Sequence, residues 1–397
     1  MRILYITLED LSLHKGSVVH IKEVVNGLQK RGHKVGLIGR ALTKLEIADH
    51  FYNIHPKPLF SSKFLSPPKK SYVVSSILLF LTLIETLRKY DVIYARDFHT
   101  VIVALLPRLM FRRKLVFEIN GLANEEQQLR GHSFGNRILA VLIKIAEVTA
   151  VKCCNRVVSV TQQISDYLTN NFHCPADKIS VIGNGVNTQR FHPIYDEISL
   201  SSWRKRFGIA RDDLVVAFVG NLAPWQGMNI LLESAFQILS HDEQNLKFLI
   251  VGEGIQKDSL IRRISDSGYR EKFIFTGMLA YENIPILINI ADICVAPFIS
   301  RRNQTTGVSP IKVFEYMACG KPVICSRIAG LEFVEAEGAG RLIDPEDVTS
   351  LEKALYDLIR NPRKREIMGQ TGPKVAHERF SWELKVIKIE EVLEGLA

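Results

Sequence analysis

NQTTGVSPIKVFEYMACGKPVICSRIAG, residues 303–330, is the stretch on which the reading of this chain turns. Ser309 followed by Pro310 predicts a helix start, with a capping hydroxyl and then a proline whose missing N–H costs nothing in the first turn. Winding the next residues at about 100° each separates two faces. Ile311, Val313, Phe314, Met317 and Ala318 fall on one; Lys312, Glu315, Tyr316 and Cys319 fall on the other. Gly320 stops the helix, and Lys321-Pro322 leads into an apolar strand, Val323–Cys325. A lysine and a carboxylate thus stand one turn apart on a helix whose N-terminus follows a glycine-bearing loop. Free N–H groups and the positive dipole end suit a phosphate, and the carboxylate can accept hydrogen bonds from a ribose diol. On this stretch alone an ordinary amphipathic surface helix is an equal reading.

The rest of the chain repeats one pattern. Strands are expected at Arg2–Leu8, Lys34–Ile38, Asp91–Ala95, Lys114–Ile119, Arg156–Val160 and Lys178–Ile182, with helices between them at Ser17–Arg31, Val73–Lys89, Thr100–Leu109, Phe134–Cys154 and Gln163–Asn171. Residues 41–72, with four prolines, read as an irregular excursion. Strands return at Leu214–Val219, Leu246–Val251, Phe273–Phe275, Ile293–Ala296 and Pro322–Cys325, again alternating with helices. Such alternation predicts two α/β domains, each a Rossmann-like parallel sheet, facing each other across a cleft. The expected division is residues 1–193 and 194–379, with a linker in 190–199 and a C-terminal helix at about 380–397 crossing back to the first domain.

Bulk properties narrow the class. A chain of 397 residues, 47% hydrophobic and 23% charged, builds two cores. The apolar, uncharged run Ser71–Ile84 is too short to cross a bilayer. The six cysteines lack CxxC or metal spacing and read as reduced, mostly buried thiols of a cytoplasmic protein. Net charge is +9, but residues 1–195 hold 26 Lys+Arg against 14 Asp+Glu, and the remainder 25 against 28. The basic half, with Lys69-Lys70 and Arg112-Arg113-Lys114 flanking apolar runs, points to anionic lipid headgroups and a peripheral membrane location. Nucleic acid, the rival acidic partner, lacks any supporting motif.

The ordered motifs RGHKV, KISVIGNGVNTQRFHP, GNLAPWQGMNILLESA, LIVGEG with FIFTGML, SPIKVFEYMACGKPV and RFSWE resemble, almost end to end, the retaining glycosyltransferases of family 4, which have the GT-B architecture. The resemblance implies sugar transfer from a nucleotide donor bound on the second domain to an acceptor on the first, without metal or other cofactor. It implies UDP or GDP rather than ADP, and a glycan or lipid-linked acceptor. Glu315 matches the ribose-binding glutamate, and the backbone of Gly307, Val308 and Ser309 the donor loop. Glu253 and Gly254 lie at a strand end facing the ligand, and Gly16 matches the glycine loop that approaches the transferred phosphate. Asn120 stands where many members carry a histidine near the reacting centre, with Glu118 two residues earlier. His20 matches a family histidine, which packing would explain as readily as acceptor contact. Arg96, Asp97 and His99 follow a strand end and are acceptor-side candidates.

Three departures stand out. Gly307 replaces a glutamate that in the family touches the donor sugar, and Asn221 and Gln226 replace an arginine and a lysine that face the diphosphate. A cation is expected to substitute, with Lys312 first and Arg301 or Arg302 in reserve. The same departures favour a rival reading, a catalytically silent nucleotide-sugar-binding protein or partner subunit of an active transferase. A GT-B epimerase or phosphorylase is a further alternative, since fold does not fix chemistry.

Overall fold

A computed structural model describes residues 1–397 except 14, 42–47, 55–67, 129–133, 242–244 and 397. It divides into two compact units, Met1–Asn184 with Trp382–Ala397, and Gly185–Ser381. The tight-turn dipeptide Asn184-Gly185 is the division point. Residues 190–199, expected as linker, belong to the second unit: Phe191 packs on Tyr281 at 5.5 Å, and the Ile194 N–H donates to Asn289 Oδ1 at 2.9 Å.

The first unit runs β1 (Arg2–Asp10), α1 (Gly16–Lys30), β2 (Lys34–Arg40), β3 (His50–Asn53), α2 (Pro68–Thr86), β4 (Val92–Arg96), α3 (Phe98–Met110) and β5 (Lys114–Ile119). It continues through α4 (Ala123–Gln128), α5 (Phe134–Cys153), β6 (Arg156–Ser159), α6 (Gln162–Phe172) and β7 (Ile179–Val181). Its strands form one parallel sheet in the order β3-β2-β1-β4-β5-β6-β7. Because both faces are covered, the middles of the central strands are apolar, and Ile3 to Ile6 are fully buried.

The second unit runs α7 (Glu197–Arg206), β8 (Leu214–Val219), α8 (Met228–Leu239), β9 (Leu246–Val251), α9 (Lys257–Asp266), β10 (Phe273–Gly277), α10 (Ile284–Asn289) and β11 (Ile293–Ala296). After these come α11 (Ser300–Thr306), α12 (Ile311–Ala318), β12 (Val323–Ser326), α13 (Phe333–Ala336), β13 (Gly340–Ile343), α14 (Val348–Arg360) and α15 (Pro362–Phe380). Its parallel sheet has the order β10-β9-β8-β11-β12-β13. The last helix, α16 (Trp382–Glu394), packs in the first unit against α1. Val386 fills the space a Cβ on Gly27 would need, and Glu390 binds Arg31 and His33, the latter at 2.6 Å.

Two expectations for residues 303–330 need correction. The helix begins at Ile311, with Pro310 rather than Ser309 at the N-cap position. Nor is it a surface helix, because Val313 to Ala318 are all buried. Its outer side is covered by α15, which carries Gly372 where a Cβ would sit 2.7 Å from the Met317 carbonyl oxygen. The part of the excursion at 55–67 lies outside the described residues, but β3 shows that 41–72 is not wholly irregular.

Candidate active site

Each sheet changes direction once. In the second unit the order steps outward one way from β8 and the other way from β11, so the loops leaving these adjacent strands diverge to opposite faces. Crevices at the carboxyl ends of such strands are where α/β sheets bind ligands. Lys312, on the first turn of α12, delivers its ammonium there. Its Nζ lies 4.0 Å from the ring centre of Phe218 in β8 and 5.4 Å from that of Phe298 just beyond β11. It donates to Gln226 Oε1 at 2.7 Å.

Burial pushes the Lys312 amine down to about 7, and the Glu315 carboxylate only partly opposes this. The cation is therefore held in a place that disfavours its charge, which an arriving anion would reverse. Gly220, at the end of β8, makes room for it: φ is +148°, and a Cβ would stand 2.6 Å from Nζ.

Around the lysine the sequence-selected residues divide by role. Glu315 is buried and accepts from the Tyr281 hydroxyl at 2.8 Å. Tyr281 is itself flanked by Phe191 and by the Arg190 guanidinium 5.1 Å over its ring. Gly254 lies where a Cβ would clash with the Leu222 backbone and the Asn221 side chain, so the turns after β8 and β9 are locked together. Leu222 N–H donates to the Glu253 carbonyl at 2.8 Å. The Glu253 side chain turns to Lys257 at 2.5 Å. Gly307 N–H bonds Asn303 O and Val308 N–H bonds Ala329 O, fixing the loop that carries half-buried Ser309 into α12. Arg301 is exposed on α11, and the Arg302 side chain lies outside the described residues. Tyr281, Phe218 and Phe298 were not selected from sequence. Single aromatics carry no motif, and only the fold brings them to Lys312 and Glu315.

The first unit changes direction between β1 and β4, and a polar cluster fills the strand ends beside that point. Fully buried Glu118 receives Arg96 Nη1 at 2.6 Å and Asn120 Nδ2 at 2.7 Å, with His20 Nε2 at 2.9 Å, all on Oε1. Tyr5 donates to Oε2 at 3.4 Å. Burial would raise the Glu118 carboxyl, but the His20 and Arg96 charges and the bonds from His20 and Asn120 hold it well below the usual range. His20 Nδ1 lies 2.7 Å from Asn184 Oδ1, and its ring meets Trp382 edge-on at 5.0 Å. Glu118 is thereby an ionised anchor that orients Asn120 and His20. Asp97 has φ +70° and a carboxyl pushed up to about 6, chiefly by burial. His99 is exposed with its ring on Phe98, and Gly16 opens α1 at the surface.

Paired sheets of this topology, each with a polar site at its switch point, define a GT-B fold, and solved structures agree. Sucrose-phosphate synthase from Thermosynechococcus elongatus superposes with TM-score 0.78 over 100% of this chain and 98% of its own, at 18% identity. HepE from Anabaena, solved in complex with UDP-glucose, gives 0.76 over 100% of both chains at 20% identity. The sequence then fixes the family. Residues 14–190 match glycosyltransferase family 4, residues 201–375 match glycosyl transferases group 1, and the protein belongs to this glycosyltransferase family. An uncharacterized glycosyltransferase of Methanocaldococcus jannaschii, MJ1607, is 26% identical over 93% of this chain and 91% of its own. A GDP-mannose-dependent phosphatidylinositol monomannoside mannosyltransferase of Mycolicibacterium smegmatis is 28% identical over 67% of this chain and 68% of its own.

Proposed function

We propose that this glycosyltransferase moves a hexosyl unit from a UDP- or GDP-sugar to a glycan or lipid-linked acceptor, with retention at the anomeric carbon and without a metal ion. The observation that carries the reading is Lys312, whose ammonium reaches Gln226 at the switch point of the second sheet. Gln226 is one of the two positions where the family resemblance leads one to expect a cation. The lysine supplies that charge from the other side of the crevice. The diphosphate binds Lys312 and the start of α12; Glu315 accepts from the ribose hydroxyls.

In the transfer, the bond between the anomeric carbon and the diphosphate oxygen breaks as the acceptor oxygen bonds to the same face. The acceptor's proton passes to the departing phosphate oxygen, and no separate base is needed. Lys312 stabilises the charge that develops on the leaving group. Asn120, oriented by Glu118, serves on the acceptor side with His20. We assign the protein to cytoplasmic polysaccharide or glycoconjugate synthesis beside an anionic membrane. The mycobacterial relative's GDP-mannose dependence and the UDP-glucose complex of HepE keep both donor nucleotides in the proposal.

The test is thermal stability against UDP, GDP, ADP and their sugars, beside Glu315→Ala. A ligand at a hundred times its dissociation constant adds about 2.7 kcal/mol to the folded state. A shift with UDP or GDP that the variant loses supports the assignment, as does product of unchanged anomeric configuration formed in the presence of EDTA. Nucleotide binding without transfer to any acceptor supports the silent-partner reading, which Gly307 and Asn221 favour. No shift with any nucleotide removes the site.

A further inference from the structure

Eleven of the nineteen exposed large hydrophobic residues among those described lie on three helices, α2, α3 and α5. These helices adjoin, α2 on α3 and α3 on α5, in the layer whose inner sides bury Leu79, Leu83, Val101, Ala104 and Val151 in the core of the first unit. Their outer sides are apolar as well. On α5, Ile138, Val141, Leu142 and Ile145 recur at i, i+3, i+4 and i+7 and are 46–58% exposed. On α3, Leu106, Leu109 and Met110 are 56–64% exposed, and on α2, Val74, Ile77 and Leu81 continue the surface. An open groove of about 440 Å³ between α2 and α3, lined by Ser76, Ile77, Phe80, Ile102, Val103 and Leu106, joins the two stripes. The second unit is an internal control. Its exposed large hydrophobics, such as Ile255, Met278 and Ile367, are scattered singly, as is normal at a wetted surface.

Charge decides what covers this face. Within α2, α3 and α5 the acidic residues are Glu85 and Glu147, and Glu147 is buried, accepting the Ala123 and Asn124 N–H groups. Cations ring the face. Arg88 and Lys89 follow α2, Arg112 and Lys114 follow α3, and Arg137 and Lys144 stand on α5, all exposed. The two basic turns adjoin, since Arg113 Nη2 donates to the Arg88 carbonyl at 3.0 Å. A second copy of the chain would bring the same cations against themselves. A water-facing sheet of apolar side chains edged by arginine and lysine matches an acidic headgroup layer above hydrocarbon. No helix of the described residues is long and apolar enough to cross a membrane, so the face lies on the bilayer.

We propose that the outer face of α2, α3 and α5 docks on an anionic bilayer, its leucines and isoleucines entering the headgroup boundary and the α2–α3 groove receiving a lipid acyl chain. The proposal rests on the membrane placement proposed above and names the face that makes it; the nucleotide site is proposed on the second unit, so flotation can fail while nucleotide-induced stabilisation stands.

The experiment is flotation of the full chain with phosphatidylcholine vesicles, with and without phosphatidylglycerol. Capture should be at least about tenfold stronger with phosphatidylglycerol and weaken as salt rises. Leu109→Glu with Leu142→Glu should lose at least about tenfold of it, while melting temperature and nucleotide-induced stabilisation stay at wild-type values. Lys89→Glu with Lys144→Glu should abolish the preference for phosphatidylglycerol. Absence of flotation in both compositions overturns the proposal. So does wild-type flotation by the leucine variant, which would mean adsorption by charge alone. So does a concentration-dependent dimer in vesicle-free buffer that the leucine substitutions dissociate, which would give the face to a second copy.

Discussion

The two units solve the same topological problem and fill their switch points in opposite ways. Both are parallel sheets that reverse direction once, and both set ionisable side chains beside the reversal. In the first unit, charge is cancelled internally: Glu118 meets Arg96, His20 and Asn120 on one oxygen. In the second, Lys312 is met by the neutral amide of Gln226 and by two aromatic rings, and its amine is pushed down to about 7. A saturated cluster holds a shape, whereas an under-compensated cation waits for an anion. Positions of equal rank in the fold thus carry a compensated anchor in one sheet and, in the proposed function, the diphosphate's cation in the other.

The largest effect expected from this contrast is on stability. Glu118→Ala leaves the buried Arg96 guanidinium without its carboxylate and His20 and Asn120 without their common partner, and breaking one side of a buried ion pair costs about 3–5 kcal/mol. Denaturant unfolding should show that loss, and Glu118→Gln, which keeps the shape and loses the charge, should fall between. A wild-type unfolding curve for Glu118→Ala would mean that the cluster is not the anchor described here.

Next in size is Gly220→Ala. The backbone at φ +148° resists any side chain, and the added methyl would stand 2.6 Å from Lys312 Nζ. Strain of this kind is worth about 1–3 kcal/mol. Because the ammonium must move, nucleotide affinity should fall together with melting temperature. A stability loss with unchanged affinity would separate Lys312 from the ligand.

Lys312→Met breaks the comparison in the other direction. Nucleotide affinity should drop at least tenfold, about 1.4 kcal/mol, with no loss of stability, since removing a cation that burial disfavours does not cost the fold. The pH dependence carries a sign. The folded amine at about 7 lies below its unfolded value of 10.5, so the unfolded state binds more protons between them and stability rises with pH across that window. Binding an anion raises the amine again. Affinity should therefore fall as pH climbs above 7, with proton uptake visible by calorimetry in buffers of different ionisation enthalpy. The methionine variant should show neither effect.

How far the sequence could carry this reading depended on whether the signal was local. Strands β8, β9 and β11 were legible to the residue, because a strand buried on both faces is a nearly continuous apolar run, broken here only by Lys247 near the start of β9. β3 and β13 were missed: HFYN sits at a sheet edge and is half-exposed, and GRLI begins with a glycine on which a Cβ would stand 2.0 Å from the Val323 carbonyl oxygen. α12 was found at nearly its true limits, but a surface helix was left as an equal reading, since nothing in its own pattern announces that α15 will cover it. Lys312 and Glu315 were legible as a one-turn pair on that helix. What they touch was not, because Gln226, Phe218 and Tyr281 come from separate loops and strands.

Tyr281 gives the smallest and most selective test. Its hydroxyl donates to the same Glu315 carboxylate that the proposed function assigns to the ribose. It therefore either orients Glu315 for the diol or competes with the diol for it. Tyr281→Phe removes the bond and keeps the ring between Phe191 and Arg190. A hydrogen bond to a charged acceptor is worth about 1.5–3 kcal/mol at most and often less, so a change of several-fold in affinity is expected. If the hydroxyl orients the carboxylate, nucleoside diphosphates lose affinity and inorganic pyrophosphate, which has no ribose, does not. If it competes, nucleotides bind more tightly and pyrophosphate is again unmoved. An equal change for nucleotide and pyrophosphate would place the effect of Tyr281 on the phosphate side, at Lys312, and would show that the helix does not divide its labour between ribose and diphosphate.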